Sequence, residues 1–522
     1  MKNLIMNKIN IIICVLLISV FTSSDVFSQL SLQWVKYSNS GAGTSGEEAR
    51  SLCIDNYFNV NVTGAGEGNV YKILKYDTYG NLRWNFSYPG GTANKIIFNG
   101  NDNCFISGSN GLLKLNSLGN LTLLKNGNFT DILLGQDNKI YALSDSSNKT
   151  IITDKYNLDG SNLWTVYKTS TQYTFYYPWS LFMGVDNKIN IMGRFVSNYL
   201  FWSEGPLYIS YDTLGSLAYS GAFPLGARNG IRNDHSNHNF FAGYWDLNVW
   251  HSKILLYKVN TGNSVVDTTF YTGSGNGRNE PYDIVCDNNG NIYLACRSWG
   301  VAVDYDYVIL KFNSNGDFEW EYRYNGSENS YDAASKIKLD NNGNIYASGT
   351  VTLNAHGIQI YTVKLSSSGE LLWSDKFSRY DSATDSNYVN DLQVDTDGNV
   401  YVCGKSRNSS TGKYDFMTLK YLNSTISVNT ENVIVKDFNI IQHYPNPFNP
   451  ETNFKFTLSK NTNLKINIYS IDGKQLTQLI NSYFSPGEYT VKWDAGSFPS
   501  GVYFISFESE HFKEIRKAVL NK

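Results

Sequence analysis

Apolar and polar residues alternate along most of this chain. Stretches such as Tyr305 to Phe312 (YDYVILKF) and Leu464 to Tyr469 (LKINIY) put every second residue on one face, the period that buries one side of a β-strand. Asp-, Asn- and Gly-rich clusters end these runs, so the pattern predicts antiparallel strands joined by tight reversals. One run is different. Ile9 to Phe21 (INIIICVLLISVF) follows Lys2 and Lys8 and precedes Val26-Phe27-Ser28, which reads as a secretory signal peptide over residues 1–28. At about a dozen residues it is shorter than the roughly 20 that span a bilayer. No transmembrane helix is expected once it is cleaved, and Cys14 lacks the context of a lipoprotein cysteine.

The strand pattern repeats at roughly 50 residues, a period typical of stacked or radial architectures. Asp287-Asn-Asn-Gly-Asn-Ile-Tyr293, Asp340-Asn-Asn-Gly-Asn-Ile-Tyr346 and Asp395-Thr-Asp-Gly-Asn-Val-Tyr401 share one turn-and-strand motif. Weaker copies begin at Asp55, Asn101, Asp137 and Asp186, and a fifth copy in chain order survives only as His238 to Gly243. A second motif, Lys-x4-Gly-x3-Trp, follows at Lys75/Gly80/Trp84, Lys155/Gly160/Trp164, Lys311/Gly316/Trp320 and Lys364/Gly369/Trp373, with Leu123 and Tyr219 replacing Trp elsewhere. Asp can cap its own turn and Gly or Asn supplies positive φ, so each copy predicts a four-stranded meander whose last strand packs an aromatic against its neighbour. The eighth copy lacks that last strand. Leu30 to Ser38 (LSLQWVKYS) carries Trp34 in the right setting with no strands before it, and would complete the last sheet and close a ring without open edges. The expected fold is all-β: an eight-bladed (alternatively seven-bladed) β-propeller over residues 29–424, a linker at 425–437 and a small immunoglobulin-like β-sandwich at 438–522.

At these motifs the repeats resemble the secreted bacterial β-propeller repeat family and, more distantly, the tryptophan-docking blades of quinoprotein dehydrogenases. The resemblance implies a fold and leaves activity open, because propellers host binding, scaffolding and catalysis alike. The paired adjacent cysteines that it would lead one to seek beside a quinone are absent from the sequence.

Pro, scarce before, then clusters in Tyr444-Pro445-Asn446-Pro447-Phe448-Asn449-Pro450-Glu-Thr452. Strands at 453–458, 464–469, 487–493 and 501–507 follow, with turns at Ile471 to Lys474 and Phe498 to Gly501. In their order YPNPFNPET, YSIDGK, SPGEYTVKWDA, PSGVYF and KAVLNK, these segments resemble the type A sorting domain of the type IX secretion system. That resemblance implies the secretion machinery as a partner, with Gly473, Gly487, Gly501, Tyr503 and Lys517 joining residues 444–450 in the signal. The destination it implies is secretion, or display on the cell surface through the outer membrane of a Gram-negative bacterium.

Composition narrows the chemistry. With 43 Lys+Arg against 46 Asp+Glu and 17% charged residues, where about 25% is usual, the chain has no electrostatic footprint for nucleic acid. The 38 Tyr, 11 Trp and 43 Gly suit a turn-rich β protein. Cys53, Cys104, Cys286, Cys296 and Cys403 are scattered without metal-ligand spacing and read as small core residues. His235, His238 and Asp234 or Asp246 could converge on a metal only in a loop, since residues three apart on a strand face opposite ways. Asp395, Asp397 and Asn399 offer alternate oxygen ligands for calcium but lack a downstream bidentate Glu. Gly398 to Ser406 (GNVYVCGKS) has five residues between its glycines where a phosphate loop needs four. No cofactor is expected beyond that weak calcium candidate.

Aromatics outside the repeat positions are expected to be exposed and are the candidate ligand-binding residues: Tyr173, Tyr176, Tyr177, Trp179, Trp202, Tyr244, Trp245 and Trp250. They fall in the least regular copies, where insertions map to loops. The leading expectation is a secreted or surface binding protein for an extracellular polysaccharide or protein. The alternatives are a polysaccharide hydrolase or lyase with carboxylates at the channel, and a purely structural surface protein.

Overall fold

The computed structural model describes residues 28–522 except 40–45, 101–102, 147–149, 170–174, 185, 198–202, 223–237, 249–250, 261–264, 276, 301–303, 327–330, 426–437, 459–461, 472, 486 and 510–512. The chain divides into two compact units, Ser28–Thr425 and one that includes Ile426–Lys522. No helix among the described residues is long and apolar enough to cross a membrane.

The first unit holds eight small antiparallel sheets among the described residues, numbered here in chain order. Seven have four strands. Their first strands are Glu48–Ile54, Ala93–Phe98, Phe129–Leu134, Phe175–Met183, Asn279–Cys286, Ala333–Leu339 and Asn387–Val394, in sheets 1, 2, 3, 4, 6, 7 and 8. Sheet 5 shows three strands, His238–Asn248, His251–Asn260 and Val265–Tyr271. By sequence motif these correspond to the second to fourth strands of the other sheets. As the pattern implies, Ser28–Ser38 pairs with Tyr414–Thr425 and supplies the fourth strand of sheet 8.

Apolar clusters fill each successive interface, from sheets 1 and 2 through 2 and 3, 3 and 4, 4 and 5, 5 and 6, 6 and 7 and 7 and 8. An eighth cluster, with Trp34, Tyr401, Cys403 and Phe416 against Leu52, Val62 and Leu74, joins sheet 8 back to sheet 1. The packing is therefore cyclic.

The repeated motifs are the hardware of those interfaces. Asp395 is buried; its Oδ1 accepts the N–H groups of Asp397 and Asn399, and its Oδ2 accepts Asn399 Nδ2 and the Tyr401 hydroxyl. Asp287 and Asp340 repeat this set. Of the calcium candidate's three side chains, Asp395 thus has both oxygens bonded within the turn, and Asn399 Oδ1 accepts Asn423 N–H. The Lys of the second motif lies over the Tyr ring of the preceding strand, as Lys155 over Tyr141 and Lys420 over Tyr401. It also donates to a carbonyl of the next sheet, as Lys155 to Thr213 and Lys420 to Thr78.

Each Trp docks on the following sheet. Trp34, Trp84 and Trp164 donate Nε1–H to the carbonyls of Thr78, Ser117 and Thr213. A Cβ on the turn glycine there would lie 2.9 Å from Trp34 at Gly80 and 2.9 Å from Trp320 at Gly369. In sheet 2 the substitute is Leu124, which packs at Gly160, and not Leu123, which is exposed. A register shift between Leu112 and Leu113 turns the strand by one residue, and a one-residue slip exchanges faces.

Among its described residues the second unit has two sheets, one of Phe438–Tyr444, Glu451–Leu458 and Gly487–Asp494, the other of Gln475–Phe484, Thr462–Tyr469, Gly501–Glu508 and Lys513–Leu520. The sequence pattern accounts for four of these seven strands. Gln475–Phe484 was masked by its largely exposed, polar alternation, which suits a sheet edge. Phe448, 2% exposed, stacks 5.1 Å from Trp493 in the shared core. The Pro-rich segment is stitched to the last strand: Phe448 N–H donates to Val519, Val519 N–H to Asn446 Oδ1, and Asn446 Nδ2 to Lys517. Tyr503 is buried and donates its hydroxyl to Pro499. Gly473 takes φ +82° in its turn, and Gly487 and Gly501 open strands.

Candidate functional site in the axial cavity

The first strands of sheets 1 to 4 and 6 to 8 each carry a β-bulge at the same place, with register shifts at Ala49/Ser51, Ala93/Lys95, Phe129/Asp131, Pro178/Ser180, Pro281/Asp283, Ala334/Lys336 and Val389/Asp391. A bulge re-aims the side chain that follows it. The residues after the bulges, Ser51, Lys95, Asp131, Ser180, Asp283, Lys336 and Asp391, line one cavity of about 920 Å³ enclosed by these seven strands. Opposite the bulge the second strand often has glycine, because the bulged backbone comes close. A Cβ at Gly64, Gly349 or Gly404 would meet a carbonyl oxygen of the first strand at 2.0, 2.0 or 1.8 Å.

The carboxylates of this ring turn sideways. Asp131 Oδ1 accepts Ile132 N–H and Lys95 Nζ, the latter at 2.5 Å, while its Oδ2 accepts Leu181 N–H from sheet 4. Asp283 accepts Ile284 N–H and, from sheet 7, Ile337 N–H. Asp391 accepts Leu392 N–H and, from sheet 1, Leu52 N–H and the Ser51 hydroxyl. Each therefore bonds its own strand and the next sheet.

The side chain of Lys336, half-buried, makes no hydrogen bond or ion pair among the described residues, and neither does that of Gln393 on the adjoining strand of sheet 8. Ser180 Oγ is buried without a partner among the described residues, and the half-buried Trp179 beside it also lines the cavity.

Of the aromatic residues expected to be exposed, Tyr177 is exposed and Trp179 faces the cavity. Tyr176 and Tyr244 are instead buried, at 9% and 8% exposure; Tyr176 lies in the cluster between sheets 3 and 4. Trp245 lies in the strand His238–Asn248, while Tyr173, Trp202 and Trp250 fall outside the described residues. His238 and His251 open consecutive strands and do not sit in a loop; Asp234 and His235 are outside the described residues. Among the described residues no three His, Cys, Asp or Glu side chains are placed to hold a metal ion.

The interface between sheets 6 and 7 holds a second acidic group, Asp304, Asp306 and Asp332, all buried. Burial, with Asp304 and Asp306 adding to it, pushes Asp332 up to about 7, against the pull of the Thr352 and Gly326 N–H groups. Below about pH 4 folded and unfolded chains both hold this proton. As pH rises to about 7 the unfolded chain releases it first, so stability is lost across that window, by on the order of 4 kcal/mol. Urea denaturation from pH 4 to 8 should show this decline in the native protein and a flatter profile in Asp332→Asn; identical slopes would contradict the assignment.

The fold and cavity define an all-β protein of propeller-like, radially packed small sheets. Residues 442–521 match the family of secretion system C-terminal sorting domains, so the chain carries a signal for export by type IX secretion to the cell surface or extracellular space. Comparison with curated proteins gives no match. Among solved structures, the chain is similar to a quinoprotein alcohol dehydrogenase-like protein from Bacteroides thetaiotaomicron (9% identity, TM-score 0.36, 57% of this chain and 76% of that one). It is also similar to a protein of unknown function from Dyadobacter fermentans (10%, TM-score 0.36, 76% and 99%) and to a prolyl endopeptidase (10%, TM-score 0.42, 70% of this chain). It spans 55% of that endopeptidase's length.

Proposed function

We propose that this protein is an exported binding protein: an eight-bladed β-propeller over residues 29–424 that takes an extracellular ligand, a polysaccharide, in its axial cavity. Residues 1–28 are its signal peptide, 425–437 a linker and 438–522 an immunoglobulin-like sandwich read by the secretion machinery at the outer membrane. The supporting observation is the division of labour in the cavity wall, where the described post-bulge carboxylates are held by backbone N–H groups while Lys336, Gln393, Ser180 and Trp179 are left for a ligand. A hydrolase needs two carboxylates poised on a glycosidic bond, and Asp131, Asp283 and Asp391 are engaged in joining sheets.

Binding to the native state raises its stability. The mature chain, heated with a panel of polysaccharides, is therefore expected to melt higher with at least one of them while no new reducing ends appear. Product in those wells would favour the hydrolase, and a flat panel would favour a purely structural role.

A further inference from the structure

We propose that the axial cavity is selective for an acidic saccharide, with Lys336 as the partner of its anionic group; this rests on the binding reading above. In the ring of post-bulge residues there are two lysines. Lys95 is neutralised by Asp131 of the next sheet. Lys336 has no acidic partner within 4.0 Å among the described residues, and the Asp391 carboxylate on its neighbouring sheet accepts Leu52 N–H, Leu392 N–H and the Ser51 hydroxyl. A half-buried ammonium that no carboxylate pairs among the described residues, in a cavity whose post-bulge carboxylates are held by backbone N–H groups, offers a local positive site to an anion.

Other groups lining the same cavity set the rest of the ligand. The amide of Gln393 and the buried hydroxyl of Ser180 each have hydrogen-bonding capacity that no described residue uses, which suits sugar hydroxyls. The ring of Trp179 offers an apolar face of the kind that packs on a sugar ring. At about 920 Å³ the space is at the upper end of small-ligand sites. A short oligosaccharide bearing carboxylate or sulfate groups satisfies charge, hydroxyls and ring together.

The test titrates the mature full-length protein, by Trp fluorescence and calorimetry, with trigalacturonate, a sulfated trisaccharide, maltotriose, sodium acetate and sodium sulfate. An acidic trisaccharide is expected to bind at least ten-fold more tightly than maltotriose, with affinity falling as salt rises. Lys336→Gln should remove that preference, Lys336→Arg should keep it, and Trp179→Ala should weaken every sugar. Which acidic trisaccharide wins distinguishes carboxylate from sulfate, and binding of acetate or sulfate alone as tightly as the sugars would overturn the saccharide assignment. Equal affinity for maltotriose, or indifference to Lys336→Gln in a folded variant, would overturn the acidic selectivity and leave the binding reading intact. Failure of all three trisaccharides would overturn both.

Discussion

Removal of residues 29–38 is expected to abolish cooperative unfolding of the Ser28–Thr425 unit, and a separate peptide of the same sequence to restore it. This segment pairs with Tyr414–Thr425 along the outer edge of sheet 8. It also buries Leu30 and Trp34, at 2% and 9% exposure, in the clusters that join sheet 8 to sheets 7 and 1. Burying each of those side chains contributes roughly 1.5–3 kcal/mol. Loss of the hydrogen-bonded row and of the Trp34 bond to Thr78 adds to this, against a total stability of about 5–15 kcal/mol for a typical protein. The truncated chain also exposes the edge of Tyr414–Thr425, a template for association. Circular dichroism during urea titration checks both halves, and a peptide carrying Trp34→Ala should rescue poorly. An unchanged midpoint in the truncated chain would show that the ring is not held by this strand.

Gly404→Ala should destabilise the protein by about 3 kcal/mol, the upper end of what overpacking costs. The new methyl would lie 1.8 Å from the Tyr388 carbonyl oxygen, and neither backbone can withdraw without opening the bulge that aims Asp391 at sheet 1. Gly412→Ala is the control. Gly412 has a positive φ of +71° and nothing within 4 Å of its Cβ position, so only the cost of a left-handed backbone applies, roughly 1–2 kcal/mol. Urea midpoints of the two variants separate close approach from conformational freedom; equal losses would argue against the steric explanation.

Much of this arrangement was legible in the chain. Spacing alone located the turns, because an Asp with Gly or Asn behind it can cap a reversal whatever surrounds it. It also located the closing strand, because Trp34 stood in a fourth-strand setting with no sheet of its own. Two further periodicities were present but carried no meaning until sheets were placed side by side. The cavity residue always stands four positions before the first turn residue, as Ser51 before Asp55, Lys336 before Asp340 and Asp391 before Asp395. The bulge-facing residue stands five after the last turn residue, as Gly64 after Asn59, Gly349 after Asn344 and Gly404 after Asn399. Gly404 had invited comparison with a phosphate loop, while its position is set by the carbonyl of Tyr388.

The candidate site was read less well than the fold. Exposure of Tyr176 and Tyr244 was inferred from their absence from the repeat, yet a side chain's burial depends on which neighbour covers its strand face, and alternation within one strand does not name that neighbour. The channel carboxylates posed the converse problem: the sequence did not single out Asp131, Asp283 or Asp391, and the groups that hold Asp391 come partly from residues about 340 positions away.

By itself the sequence determined the turns, the repeat and many of the strands, since each rests on dihedral preference and hydrogen bonds among residues a few positions apart, and it carried the export signal as an ordered set of motifs. Only the tertiary structure decided which charges are spent and which are left facing the cavity, because that depends on groups brought together from different sheets as the ring closes.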